Sequence, residues 1–268
     1  MEINRTNITQ IIKSFDLKPD KDYGQNFLID PTIAASIVDK LEIEPGDNIV
    51  EVGPGLGSLS HFILKKTLNY KAVDIDNRMI CFLKNTYPDL SNNFICNDIR
   101  KEKVDGCNKV ISNLPYNITT EAITYLLKNS QNITKLVLMC QSENFAHFND
   151  VSGKEYGPIS VLIHLFGTVK KLLSVKPGSF YPAPSCSSTV FSIDYSGKYT
   201  LEDCASSYSI AKQLFLNRRK TIFNNLQNYL KNKEKAANIL NELNIPQSKR
   251  PEELLPETYF QISKLIMK

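Results

Sequence analysis

Residues 49–57 constrain the fold of this chain more than any other stretch. Ile49-Val50-Glu51-Val52 is a short apolar run closed by Gly53-Pro54-Gly55-Leu56-Gly57, after which Leu59, Phe62 and Ile63 recur at helical spacing. Glycines between a strand and a helix permit a tight turn and a close approach of backbone to ligand. The alternation then continues. Residues 70–75 read as a strand and 78–87 as a helix. Residues 94–96, 109–112 and 136–139 read as further strands, with a helix over 120–129 before the last. This order predicts an α/β fold with a doubly wound, parallel sheet. Residues 165–174 and 187–195 are expected as two more strands around a turn rich in Pro and Ser.

The last quarter reads differently. After a polar linker at residues 194–200, apolar spacing is helical throughout, over 201–216, 218–231, 235–243 and 252–266. Two domains are expected, 1–197 and 198–268, the second small and all-helical. Charge divides at the same place. The first 197 residues hold 20 Lys+Arg against 21 Asp+Glu, and the remainder 12 against 7, so the whole-chain +4 hides a segment at +5. A basic helical segment is commonly a solvated face, and it also suits a polyanion partner. No apolar run reaches the ~20 residues that span a bilayer. Residues 1–18 lack the apolar core of an export signal. A cytoplasmic protein without membrane association is therefore expected. The six cysteines form no CxxC pair and the three histidines have no metal spacing, so neither a metal site nor a disulfide framework is expected.

The glycine turn comes with acidic partners. A dinucleotide fingerprint places its third glycine five residues after the first, but Gly57 follows Gly53 by four. Glu51 immediately precedes the turn. Asp74 ends the second strand, where a carboxylate can accept both hydroxyls of a ribose. Asp98 follows the third strand, within reach of an adenine amino group. An adenosyl ligand is implied, which leaves both a methyltransferase and a nicotinamide-dependent oxidoreductase open. E-x-G-x-G-x-G with acids ending the next two strands resembles the class I S-adenosylmethionine-dependent methyltransferases, whose Rossmann-like cofactor site has no pyrophosphate to cradle.

Asn113-Leu114-Pro115-Tyr116 follows the fourth strand. Asn and Pro favour turns, so a plain turn is one reading. The other is chemical. The exocyclic amine of adenine is a poor nucleophile because its lone pair is delocalised into the ring. The amide oxygen of Asn113 and the carbonyl of Leu114 can accept its two N–H bonds and localise that pair on nitrogen. Pro115, with φ fixed, holds the carbonyl in place. Tyr116 offers a face for the base, a contact worth ~1–3 kcal/mol. A paired base cannot reach such a pocket, so the target is single-stranded, looped or flipped. Phe180 is either the opposite wall of that sandwich or a core aromatic.

Further segments carry a more specific likeness. Tyr23-Gly24-Gln25-Asn26-Phe27-Leu28, Asn113 to Ile118, Phe180-Tyr-Pro-Ala-Pro184, and Asn217-Arg218-Arg219-Lys220-Thr221-Ile222 together resemble the rRNA adenine-N6 dimethyltransferases, from about residue 21 to the C-terminus. The last segment points to their KsgA-type, small-subunit branch. Macrolide-resistance methyltransferases, which act on the large subunit, share only the first domain's motifs and are the near alternative. The resemblance implies transfer of two methyl groups to N6 of each of two adjacent adenosines, in the hairpin loop near the 3′ end of small-subunit rRNA. It implies a monomer acting on a pre-30S particle, with a role in ribosome assembly. A checkpoint factor that binds immature subunits without needing methylation is the reading from another class. Cofactor contacts of the family fall on Asn26, Leu28, Gly53, Asp74, Asp98 and Asn113, beside Glu51 and Gly55 of the turn. Asp74 stands where the family usually has Glu. Ser142, Pro158 and Phe223 replace basic residues.

The basic segment has its own physical logic. Asn217 is a good N-cap, which would place Arg218, Arg219 and Lys220 in the first turn of a helix. Cations there oppose the helix dipole, so helix stability does not explain them, whereas a bound phosphate would. Arg219 lies three, four and seven residues before Ile222, Phe223 and Leu226, so it is either packed or free.

Overall fold

The computed structural model describes residues 1–20, 23–113, 118–129 and 132–267. They divide into two compact units, the first made of Met1–Glu143 with Lys170–Asp194 and the second of Asn144–Val169 with Tyr195–Lys268.

Strands run in chain order from β1 (Phe27–Leu28) through β2 (Ile49–Val52), β3 (Tyr70–Asp74), β4 (Phe94–Cys96), β5 (Lys109–Ser112) and β6 (Lys135–Gln141) to β7 (Gly167–Val175), β8 (Phe180–Tyr181) and β9 (Ser188–Tyr195). Among the described residues, one sheet has the order β4-β3-β2-β5-β6-β9-β7, and β1 pairs with β8 in a separate antiparallel ladder. Neighbours from β4 to β6 are parallel, and β9 lies antiparallel to β6. Every residue of β2 and β5 is buried, as a sheet covered on both faces requires. Helices of this unit are α1 (Ile8–Ser14), α2 (Pro31–Asp39), α3 (Ser60–Ile63), α4 (Asn77–Thr86) and α5 (Thr119–Asn129). Asp30 caps α2 by accepting from the N–H groups of Thr32 and Ile33, with Pro31 at the first helical position.

The strand order positions the site. From β2 the chain builds outward to β3 and β4 on one side, and from β5 to β6 on the other. In such sheets the ligand crevice opens where the order reverses, beyond the carboxyl ends of the two central strands. Val52 pairs with Ser112 and also with Val73, so Gly53, Asn113 and Asp74 emerge side by side. Ser112 Oγ donates to the Val52 carbonyl at 2.6 Å, locking the two central strand ends together.

The second unit is helical: α6 (Ala146–Asn149), α7 (Pro158–Phe166), α8 (Leu201–Phe215), α9 (Ile222–Leu230), α10 (Lys233–Glu242) and α11 (Pro256–Met267). Its extent differs from the expected 198–268, because α7 packs against α8 and α11. The largely apolar run through residues 159–169, interrupted at His164, hides a change from helix to strand at Gly167. Tyr156 and Tyr259 are fully buried here, and the Phe215 ring stacks on Tyr259 at 5.8 Å. Assigned to these units, the charges fall at 19 Lys+Arg against 19 Asp+Glu in the first and 13 against 9 in the second. No helix among the described residues is long and apolar enough to cross a membrane.

Candidate functional site

Beyond the carboxyl ends of β2, β3 and β5 lies a cleft whose described lining comes entirely from the first unit. Asn26, Leu28, Glu51, Gly53, Gly55, Asp74, Asp98 and Asn113 line it together. The turn after β2 supplies the floor. Gly53, Gly55 and Gly57 have φ of +67°, +53° and +82°, a region closed to most side chains. A Cβ on Gly57 would stand 2.7 Å from Leu83 Cδ2.

Acids at the strand ends do different work. Asp74 Oδ2 accepts from the Gly55 N–H at 3.2 Å and Oδ1 from the Asp76 N–H at 2.9 Å, so glycine turn and strand end form one surface. Burial raises the Asp74 carboxyl to about 6, which leaves it ionised at neutral pH. Asp98 is gripped by Arg100, whose fork spans both carboxylate oxygens at 2.7–3.0 Å. That side-chain pairing holds the Asp98 carboxyl below the usual carboxylate range. Glu51 is 1% exposed. Its Oε2 accepts from Ser60 Oγ at 2.6 Å and from the Tyr70 hydroxyl at 2.5 Å, and burial pushes it up to about 7. Glu51 therefore works chiefly inside the fold, tying α3 to β3 beneath the turn, a role its place in the motif did not reveal.

Reading strand-end acids alone missed part of the cleft. Tyr23, Gln25, Ile75, Ile99 and Arg100 also line it. Ile75 and Ile99 each directly follow a strand-end acid, and an apolar residue there is the signal that could have identified them. Gln25 Nε2 donates to Asp76 Oδ2 at 2.9 Å, and Arg78 pairs with the same carboxylate at 2.7 Å, fastening the segment before β1 to the start of α4.

Asn113 stands at the cleft with its Nδ2 3.4 Å from the Asn26 carbonyl, a long contact that aims the amide nitrogen at β1's approach. Leu114 and Tyr116 lie outside the described residues. Phe180 is 3% exposed, paired with Leu28 in the β1–β8 ladder and part of the core. Of the two readings for Phe180, the structure favours the core aromatic: it backs the strand that carries Leu28 and is absent from the described lining of the cleft.

The basic segment departs from expectation. Arg218, Arg219 and Lys220 occupy the turn between α8 and α9; the N-cap of α9 is Thr221, whose hydroxyl accepts from the Asn224 N–H, rather than Asn217. Asn225 is buried, and its Nδ2 lies 3.1–3.3 Å from the carbonyls of Asn217, Lys220 and Thr221, which shapes the turn. Arg218 is the packed one: it donates to the Gly153 carbonyl, pairs with Glu252 at 3.6 Å and lies over the Phe215 ring. Arg219 and Lys220 are exposed. Ser142 Oγ meets Thr189 Oγ1 at 2.9 Å, Pro158 opens α7 and Phe223 is half-buried on α9. Among the described residues, no group of three His, Cys, Asp or Glu could hold a metal ion.

Comparison with known proteins places this geometry. A family model described as ribosomal RNA adenine dimethylase matches residues 16–268. Ribosomal RNA small subunit methyltransferase A of Malacoplasma penetrans is 36% identical, the match covering 89% of each chain. Its counterpart in Alkaliphilus oremlandii is 36% identical over 93% of this chain and 92% of that one. Among solved structures, a dimethyladenosine transferase from Plasmodium falciparum superposes with a TM-score of 0.72 at 22% identity, covering 88% of this chain and 95% of that one. The 23S rRNA methyltransferase ErmE gives 0.66 at 16% identity, covering 91% and 100%. Both superpositions bear on the fold, a class I methyltransferase sheet. With the family model and the whole-length relatives in agreement, the chain belongs to the ribosomal RNA adenine dimethylase family.

Proposed function

We propose that this chain is an S-adenosylmethionine-dependent methyltransferase that dimethylates N6 of two adjacent adenosines in small-subunit rRNA. The observation that carries it is the side chain of Asn113, standing at the cleft that opens where the strand order reverses, with its amide nitrogen turned to Asn26. The cleft suits an adenosyl ligand. Gly53 and Gly55 let backbone approach it, ionised Asp74 can accept from two ribose hydroxyls, and Asp98 can accept from the adenine amine. S-adenosylmethionine, when bound, supplies a methyl group on a positively charged sulfur.

The chain's own residues then handle the acceptor. Asn113 Oδ1 accepts one N–H of the target amine, the Leu114 carbonyl takes the other, and Tyr116 stacks on the base. Localising the lone pair on nitrogen makes it a competent nucleophile, and the proton is lost after transfer, so no strong base is required. Phe180 holds Leu28 in place rather than touching the base. The second unit, with its net charge of +4, meets rRNA phosphates through Arg219 and Lys220. The substrate is an immature small subunit, met in the cytoplasm by a monomer.

Incubation with tritiated S-adenosylmethionine and unmethylated small subunits or their precursors tests this. Label is expected in small-subunit rRNA as N6,N6-dimethyladenosine. Asn113→Ala should abolish it while subunit binding survives. Label confined to large-subunit rRNA would replace this reading with a resistance-type activity.

A further inference from the structure

We propose that Arg100 sets the selectivity of the cleft for the adenine amine, by holding Asp98 in one orientation. This rests on the reading that the cleft takes S-adenosylmethionine. Asp98 Oδ1 accepts from the Arg100 backbone N–H at 2.9 Å and from Nε at 3.0 Å, while Oδ2 accepts from Nε at 3.0 Å and Nη2 at 2.7 Å. The remaining guanidinium nitrogen, Nη1, donates to Glu121 in the first turn of α5. Arg100 thus bridges the loop after β4 to the helix that follows Asn113.

A carboxylate offers about four acceptor sites. Three N–H groups of Arg100 engage them, the Nε–H shared between Oδ1 and Oδ2, which leaves the carboxylate room for one further donor in the cleft. The Asp98 side chain is 13% exposed, whereas Arg100 is 42% exposed. An exposed ion pair contributes little to stability, so the effect of this one is geometric. A bidentate fork fixes the plane of the carboxylate, and that plane decides whether the last acceptor site faces an exocyclic amine. Without the fork, Asp98 turns among solvent-facing rotamers and accepts from water as readily as from ligand. Lysine could keep the charge but not the plane.

The experiment compares S-adenosylhomocysteine with its 6-deamino analogue, in which hydrogen replaces the adenine amine. Affinities are measured by calorimetry for the wild type, Arg100→Ala and Arg100→Lys, with circular dichroism as the folding control. One charge-assisted hydrogen bond predicts that the wild type prefers the amine by about 10–100-fold. Arg100→Ala should shrink that preference by about three- to tenfold, leave the affinity for the deamino analogue unchanged, and be matched by Arg100→Lys. An unchanged or larger preference in Arg100→Ala would overturn the proposal, and so would equal weakening of both ligands, which marks Arg100 as mere support for the cleft. A wild type that binds neither ligand defeats the cofactor reading itself, and the role of Arg100 with it.

Discussion

A carboxyl group with 1% of its surface exposed meets water only when the fold opens, and that makes Glu51 a pH-sensitive residue. Burial raises it from 4.5 to about 7, against the hydrogen bonds from Ser60 and Tyr70 that favour its ionised form. Below 4.5 the group is protonated whether the chain is folded or not, and contributes no cost. Between 4.5 and about 7 the folded chain holds a proton that the unfolded chain has released, so stability falls as pH rises. Above about 7 the cost is complete, on the order of 3 kcal/mol. Glu51→Gln lacks this slope. Its melting temperature relative to the wild type should therefore climb between pH 5 and pH 8, and a pH-independent difference would remove Glu51 from the account. Asp74, raised to about 6, would act on binding in the opposite sense under the proposed function: ribose hydroxyls would favour its ionised form, so affinity for S-adenosylhomocysteine should weaken as pH drops below about 6. Arg218 shows why charge alone misleads at this scale. Its spacing to Ile222, Phe223 and Leu226 made Arg219 the candidate for packing, yet Arg218 braces Gly153 and Glu252 while Arg219 faces solvent.

Helix α9 begins four residues later than its basic run suggests, and the reason lies in competing caps. Asn217 and Thr221 are both good N-cap residues, and the apolar stripe decides between them: Ile222 and Leu226 are fully buried, and a helix started at Arg218 would wind the basic residues into the same turn. What fixes the turn is Asn225, which reaches back from α9 to three carbonyls. Asn225→Leu is expected to strand those carbonyls at about 1–3 kcal/mol, lowering the melting temperature. It should also weaken rRNA binding several-fold without altering its salt dependence, since no charge is removed; retained affinity would mean that the turn's shape is irrelevant to RNA. The same competition explains what the sequence could convey. Strands β2 to β6 and helices α8, α10 and α11 were legible because each has a full apolar period between clear breakers. β1 and β8 have two residues each, too few for any period, and their pairing joins segments about 150 residues apart, so Phe180 could not be placed beforehand. The cleft was legible at its acids and glycines because acids at the ends of apolar strands, beside a turn of three glycines, form a pattern that packing alone does not call for. Its apolar and Arg100 lining was not, because isoleucine and arginine are ordinary in both cores and loops.

At the scale of the molecule, charge and chemistry are separated. The unit that carries the cleft is neutral, and the helical unit carries the whole +4. A neutral cofactor unit has no bulk attraction for nucleic acid, so long-range affinity for rRNA falls to the helical unit, and within it to cations free to release counterions. Arg219 and Lys220 qualify by exposure, and Arg218, engaged with Glu252, does not. Double substitution Arg219→Glu with Lys220→Glu should therefore weaken subunit binding and flatten its dependence on salt, by about 0.7–0.9 in the log–log slope for each phosphate no longer neutralised. Arg218→Met should instead lower the melting temperature and leave that slope nearly intact. Affinity for S-adenosylhomocysteine should be the same in all three proteins, because every residue lining the cleft belongs to the other unit. Filter binding to unmethylated subunits at salt concentrations from about 50 to 300 mM, where the Debye length falls from about 14 to about 6 Å, separates the two effects. A slope unchanged by the double substitution would move the RNA contact off this turn, and a slope flattened by Arg218→Met would return Arg218 to the phosphate surface.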